Sequence, residues 1–266
     1  MPAGSRPPRR KRFGQHFLHE PRIIARILAA LAPGPADHLV EVGPGRGALT
    51  LALLHERWAS FDALEIDRDL AARLAPELGR HAHARLHETD ALRFDFDALA
   101  AARGGPLRVL GNLPYNISTP LLFHLLGQAA ALRDLHVMLQ REVVARICAA
   151  PGSEHYGRLG VMLAPCFRAE WLFDVGPGAF QPPPRVWSAL LRLTVRDPPL
   201  FAVSPHYGRV VAAAFSGRRK TLRNALRALL PEAALREAGL EPGVRPERLA
   251  PADFNLLALR LDRAGG

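Results

Sequence analysis

A segment that reads as a first strand, residues 38–42, meets Gly43-Pro44-Gly45-Arg46-Gly47 and passes straight into a segment of helical spacing, 48–56. No other feature constrains the fold as strongly. A strand that turns through glycines directly into a helix opens a parallel βαβ unit, because the tight turn needs residues without a side chain. The alternation continues. Residues 61–66 read as a second strand and 70–78 as a helix, 85–89 as a third strand, 107–110 as a fourth, 120–127 as a helix, 135–139 as a fifth strand and 141–149 as a helix. Ahead of them Ile23, Ile24, Ile27, Leu28 and Leu31 repeat with helical spacing up to Pro33-Gly34-Pro35. Strands alternating with helices predict an α/β domain on a mostly parallel sheet. Residues 171–175 and 188–195 add strands on either side of Pro182-Pro183-Pro184. Arg196-Asp197-Pro198-Pro199 is the expected boundary. Beyond it the chain reads as helices only, over 207–215, 220–229, 232–238 and 252–261.

Open parallel sheets bind ligands in the crevice beyond the carboxyl ends of their strands. Acidic groups fall there one after another: Glu41 just before the glycines, Glu65 at the end of the second strand, 22 residues after Gly43, and Asp90 at the end of the third. Gly43 and Gly45 let the backbone approach a ligand closely. Glu65 can accept from both hydroxyls of a ribose, and Asp90 from the amino group of an adenine. A glycine loop alone fits a dinucleotide equally well; the carboxylates in register favour S-adenosylmethionine. A solvated loop charge explains Glu65 or Asp90 singly, but not the series.

The fourth strand runs into Asn112-Leu113-Pro114-Tyr115. This string suits methylation of an exocyclic amine. Such a nitrogen is a poor nucleophile because its lone pair is delocalised into the ring. The Asn112 side-chain oxygen and a neighbouring carbonyl, that of Leu113, can hold it in a reactive geometry. Pro114 restricts Leu113 to extended backbone and so aims the carbonyl. Tyr115 offers a π face for a base. A strand end followed by a proline turn would explain the tetrapeptide in isolation.

Lys and Arg number 35 against 25 Asp and Glu, a net charge of +10. That balance points to a polyanion, nucleic acid first, although an arginine-rich proteome would also produce it. The sequence has no apolar run of transmembrane length and no signal-peptide pattern, so a cytoplasmic protein without a membrane partner is expected. Cys148 and Cys166 stand among apolar neighbours and read as reduced thiols rather than metal ligands.

Six strings together resemble the ribosomal RNA adenine dimethyltransferases over nearly the whole chain. They are Phe13-Gly14-Gln15-His16-Phe17-Leu18, Glu41 to Gly47, Asn112 to Pro120, Gln140-Arg141-Glu142 with Val143 to Arg146, Phe180 to Ser188, and Phe215 to Asn224. They are most similar to the bacterial small-subunit (16S) branch of that family. The resemblance implies a Rossmann-like class I methyltransferase domain with a mostly parallel seven-stranded sheet, residues 1–197 including a basic amino-terminal arm. A small all-helical RNA-binding domain, 198–266, follows. It implies transfer of methyl groups from S-adenosylmethionine, leaving S-adenosylhomocysteine, to N6 of two adjacent adenosines near the 3′ end of 16S ribosomal RNA. The partner is that RNA within the small ribosomal subunit or its precursor, with a part in subunit biogenesis, no metal, and a monomer as the acting form. It places His16, Leu18, Gly43, Glu65, Asp90 and Asn112 on the cofactor, His16 standing where several relatives carry Asn.

Beside Tyr115, Phe180 is expected as a second stacking face, fixed at the pocket rim by the prolines after it; a core aromatic before a strand is the plainer alternative. Arg218, Arg219, Lys220 and Arg223, with Arg227, concentrate charge for RNA phosphates, and Arg9, Arg10, Lys11 and Arg12 add a basic arm. A solvated helical face would carry such charges too. Two other readings stay open: a large-subunit methylase of the macrolide-resistance type, and a non-catalytic assembly factor on the same fold.

Overall fold

The computed structural model describes residues 16–217 and 219–264. Phe13-Gly14-Gln15, the arm from Arg9 to Arg12, and Arg218 therefore lie outside the described residues. The elements run β1 (Phe17–Leu18), α1 (Pro21–Leu31), β2 (His38–Val42), α2 (Ala48–Leu53), β3 (Ser60–Glu65), α3 (Arg68–Leu78), β4 (Ala84–Glu88), α4 (Phe96–Arg103) and β5 (Leu107–Asn112). Then come α5 (Ser118–Gly127), β6 (Leu132–Gln140), α6 (Arg141–Cys148), α7 (Arg158–Leu163), β7 (Phe167–Val175), β8 (Phe180–Gln181) and β9 (Ser188–Val195). The chain ends in α8 (Tyr207–Ala214), α9 (Leu222–Leu226), α10 (Glu232–Glu237) and α11 (Pro251–Ala264).

Seven strands form one sheet in the order β4-β3-β2-β5-β6-β9-β7. Pairs from β4 to β6 are parallel, and β9 runs antiparallel between β6 and β7. Helices cover both faces, so the central strands are apolar at successive residues rather than alternate ones. Leu39, Phe61, Ala63 and Leu110 pack on one side with Ile27, Leu31 and Leu74. Val40, Val42, Leu64 and Val109 pack on the other with Leu121, Leu125 and Phe96.

Side chains fix where helices begin. Glu20 accepts from the Arg22 N–H before α1, Asp67 from Asp69 and Leu70 before α3, and Asp95 from Ala98 before α4. Each satisfies an amide that the first helical turn leaves without a partner.

Charge is buried at the opposite end of the sheet from the crevice. Arg108, near the start of β5, donates to Asp37 at 2.6 Å, to Asp134 at 3.0 Å and to the Leu31 carbonyl at 2.7 Å. The pair of carboxylates keeps this guanidinium charged despite burial, which by itself lowers its pKa.

The last four helices surround a third core containing Tyr207, Val210, Leu222, Leu226, Phe254 and Leu257. Tyr156 and Val161, from before β7, belong to the same core. The Tyr207 hydroxyl donates to the Val161 carbonyl, and that of Tyr156 to the Leu249 carbonyl, both at 2.8 Å.

The sheet and its order of helices match the expected α/β class. The structure differs in detail. The fifth expected strand extends to Leu132–Gln140, and the expected helix over 220–229 shrinks to Leu222–Leu226. Two helices, α4 and α7, were not expected. The first is largely alanine and has no sharp apolar stripe; the second is a six-residue segment. The two-residue strands β1 and β8 are too short to show a period of two.

Candidate active site

The carboxyl ends of β2, β3 and β5 open onto one cavity of about 240 Å³. The loop after β2 forms its floor. Gly43 and Gly45 have φ of 68° and 59°, a region closed to most side chains. At Gly45 an added Cβ would stand 3.1 Å from the Phe17 ring. A side chain there would press the Phe17 ring away from the loop by a few tenths of an ångström. Arg46 also lies over this ring, its guanidinium 4.5 Å from the centroid.

Glu65, the last residue of β3, is buried, and its two oxygens accept from the backbone N–H groups of Gly45 at 3.0 Å and Asp67 at 2.9 Å. These bonds orient the carboxylate and leave lone pairs on both oxygens. Asp90 stands two residues past β4 rather than at its end, and one oxygen accepts from Leu92 N–H at 3.0 Å. Glu41 lies deeper. Burial pushes its carboxyl up to about 7, against the hydrogen bond that the Thr50 hydroxyl donates at 2.6 Å and with help from the charge of Glu65.

At the other wall, β5 ends in Asn112. Its amide nitrogen donates to the His16 carbonyl at 2.8 Å, which settles which way the amide is turned. Among the described residues neither the Asn112 Oδ1 nor the Leu113 carbonyl accepts a hydrogen bond. The Leu113 N–H is held by the Met138 carbonyl at 3.3 Å. Tyr115 is half-buried and shares a hydrogen bond of 2.9 Å with the Ser188 hydroxyl. Burial raises its pKa, so it stays a neutral phenol. The His16 ring lies 5.7 Å from that of Tyr115, and its Nδ1 is 2.7 Å from the Pro182 carbonyl.

His16, Leu18, Gly43, Gly45, Glu65, Asp90, Asn112, Leu113, Pro114 and Tyr115 thus line one cavity, as the sequence pattern required. Phe180 does not line it. Its side chain is 2% exposed and packs in the core with Leu18, to which β8 pairs it across the small ribbon. The sequence pattern gave no part to Ile66, Ala91 and Leu92, which supply apolar wall beside Glu65 and Asp90. Ile66 is 54% exposed, an apolar residue directly after the strand, and that position was the available signal.

The cavity therefore fits an adenosyl group: carboxylate acceptors with free lone pairs, apolar surface for a flat ring, and a glycine loop that admits close approach. No group of three or more His, Cys, Asp or Glu side chains among the described residues is arranged to hold a metal ion. No helix among them is long and apolar enough to cross a membrane. Arg219, Lys220 and Arg223 lie away from the cavity, exposed around the start of α9, with Arg223 3.1 Å from Glu232.

Comparison with known proteins agrees with this geometry. The family model described as ribosomal RNA adenine dimethylase matches residues 8–263. The chain is 51% identical over 254 residues to ribosomal RNA small subunit methyltransferase A of Methylococcus capsulatus, covering 95% of this chain and 98% of that protein. It is 53% identical over 247 residues to the protein of the same name from Nitrosococcus oceani, covering 92% and 93%. Among solved structures, the 23S rRNA methyltransferase ErmE is 29% identical with a TM-score of 0.71, covering 92% of this chain and 99% of that one. A dimethyladenosine transferase from Plasmodium falciparum, 22% identical, shares the fold with a TM-score of 0.81, covering 94% and 98%.

Proposed function

The chain belongs to the ribosomal RNA adenine dimethylase family, and from that premise we propose that it dimethylates N6 of two adjacent adenosines near the 3′ end of 16S ribosomal RNA, in the small subunit or its precursor. The methyl donor of the family's chemistry is S-adenosylmethionine. One observation carries the reading: a single cavity is lined at once by Glu65, Asp90 and the free acceptors of Asn112-Leu113-Pro114-Tyr115. Identity near 50% to small-subunit methyltransferases, against 29% to the 23S enzyme, favours the small subunit.

When bound, S-adenosylmethionine supplies an electrophilic methyl group. Glu65 accepts from the ribose hydroxyls and Asp90 from the adenine amino group, while Gly43, Gly45, His16 and Leu18 shape the remaining contacts. Asn112 Oδ1 and the Leu113 carbonyl accept from the two hydrogens of the target amine and hold its lone pair toward the donor. Pro114 keeps that carbonyl aimed. Tyr115 stacks on the target base, which must leave its own stack to enter. Alignment alone supplies much of the acceleration, about 7 kcal/mol or more in well-oriented systems. The methylated nitrogen is acidic and loses its proton to water, so no buried base is required. Phe180 reaches the base only if its ring turns out of the core.

We read the helical region beyond 197 as the RNA-binding unit, with Arg219, Lys220 and Arg223, together with Arg218, meeting phosphates. The test offers equal amounts of unmethylated small and large ribosomal subunits with labelled cofactor. Label entering the small subunit alone supports the proposal; label entering the large subunit overturns it in favour of the macrolide-resistance type.

A further inference from the structure

Ser188, which holds the Tyr115 hydroxyl, is buried, but the residues just before it are not. Trp187 is 53% exposed and Val186 is 44% exposed. Trp171, on the neighbouring edge strand β7, is 36% exposed. Arg141 ties these aromatics together. Its backbone N–H donates to the Trp187 carbonyl at 2.9 Å, and its guanidinium lies 5.7 Å from the Trp171 ring centroid. Asp174 accepts from Trp171 Nε1 at 2.9 Å and pairs with Arg141 at 3.1 Å, so both groups are held in place. The Trp187 ring borders Gly176, where an added Cβ would stand 3.6 Å from it. Arg185, on the same stretch as Trp187, is exposed.

Nothing in the core requires an indole at position 187. Two exposed indoles joined through one arginine are apolar surface that a recognition site would use. Aromatic faces interleaved with arginines match unpaired nucleotides, because every base has a π face and every phosphate a charge. The net charge of +10 favours such a partner. The surface is one residue from the group that positions Tyr115.

We propose that this surface takes the RNA that flanks the target adenosine, with an unpaired base stacked on Trp187 and phosphates meeting Arg185 and Arg141. The inference rests on the proposed reading of the cavity as the adenine site.

The test compares Trp187→Ala and Trp187→Phe using unmethylated small subunits, and RNA stripped of protein from them. The Ala variant is expected to raise KM and weaken binding to both by roughly tenfold, the scale set by stacking one base on one ring, with kcat nearly unchanged. The Phe variant retains a ring and stays near the parent. Cofactor affinity and melting temperature are unchanged in both. An unchanged KM in the Ala variant overturns the proposal. So does weakened binding to subunits with normal binding to stripped RNA, which would assign the surface to a protein. Fluorescence of Trp187 in a Trp58→Phe, Trp171→Phe background separates this inference from the reading beneath it. Quenching by the stripped RNA supports the surface even if small subunits prove not to be the methyl acceptor; no quenching overturns it.

Discussion

The Asn112 amide nitrogen donates to the His16 backbone carbonyl at 2.8 Å. The residue just before β1 thereby fixes the rotamer of the residue that ends β5, and turns Oδ1 to the role of acceptor. The identity of the side chain at position 16 matters less to this hydrogen bond than the path of its backbone. The bond itself makes no demand on which side chain position 16 carries.

Asn112→Ala is expected to slow methyl transfer by roughly a hundredfold or more, the scale of removing one preorganised polar group from a reacting centre. Folding and RNA binding persist. Single-turnover kinetics checks it, and near-normal turnover excludes Asn112 from the reaction. Asn112→Asp is expected to be no better, since it sets a carboxylate oxygen against the His16 carbonyl.

Glu65→Ala is expected to weaken S-adenosylmethionine binding by about 1–3 kcal/mol, through loss of a charged acceptor. The Gly45 N–H loses its partner as well, so loop order falls with affinity. Titration calorimetry reads the change, and unchanged affinity places Glu65 outside the site.

Glu41 gives a pH dependence whose sign is fixed. Its carboxyl titrates near 4.5 in the unfolded chain and near 7 in the fold. Below pH 4.5 both states are protonated and nothing is lost. As pH rises from 4.5 to 7 the unfolded chain sheds its proton first, so stability falls; above 7 the fold carries the whole cost, roughly 3 kcal/mol. Glu41→Gln is expected to flatten melting temperature against pH across that window. Parallel curves for parent and variant contradict it.

Arg219→Ala with Lys220→Ala is expected to weaken RNA binding and lower the slope of log affinity against log salt by about one for each phosphate no longer neutralised. Both side chains are exposed, whereas Leu222, Leu226 and Leu230 behind them are buried. An unchanged slope with a lower melting temperature makes the pair structural.

How much of this was legible in the sequence differs by element. The sheet was legible because β2, β3, β5 and β6 carry apolar residues at successive positions (Leu39-Val40, Ala63-Leu64, Val109-Leu110, Val137-Met138-Leu139), with glycine, proline and helical spacing between the strands. The cavity was legible because parallel strands deliver their carboxyl ends to one crevice, so Glu65, Asp90 and Asn112 had to converge. Phe180 was not. Its motif lies next to the site in the chain, but the two-residue pairing of β1 with β8 turns the ring into the core, and no periodicity reveals a pairing that short. Ile66 was hidden for another reason: an apolar residue at a strand end looks like strand, whereas Ala91 and Leu92 follow Asp90 in a loop past β4, where no periodicity marks a lining residue. The sharing of Tyr156 and Val161 with the third core depends on packing between segments distant in sequence.

The most direct measurement maps modified nucleotides, by mass spectrometry of RNA fragments, after incubating the protein with unmethylated small subunits and S-adenosylmethionine. The expected result is N6,N6-dimethyladenosine at two adjacent positions near the 3′ end of 16S ribosomal RNA, absent when Asn112→Ala replaces the parent. Methyl groups at any other site, or none with a protein that binds the cofactor, would contradict the account.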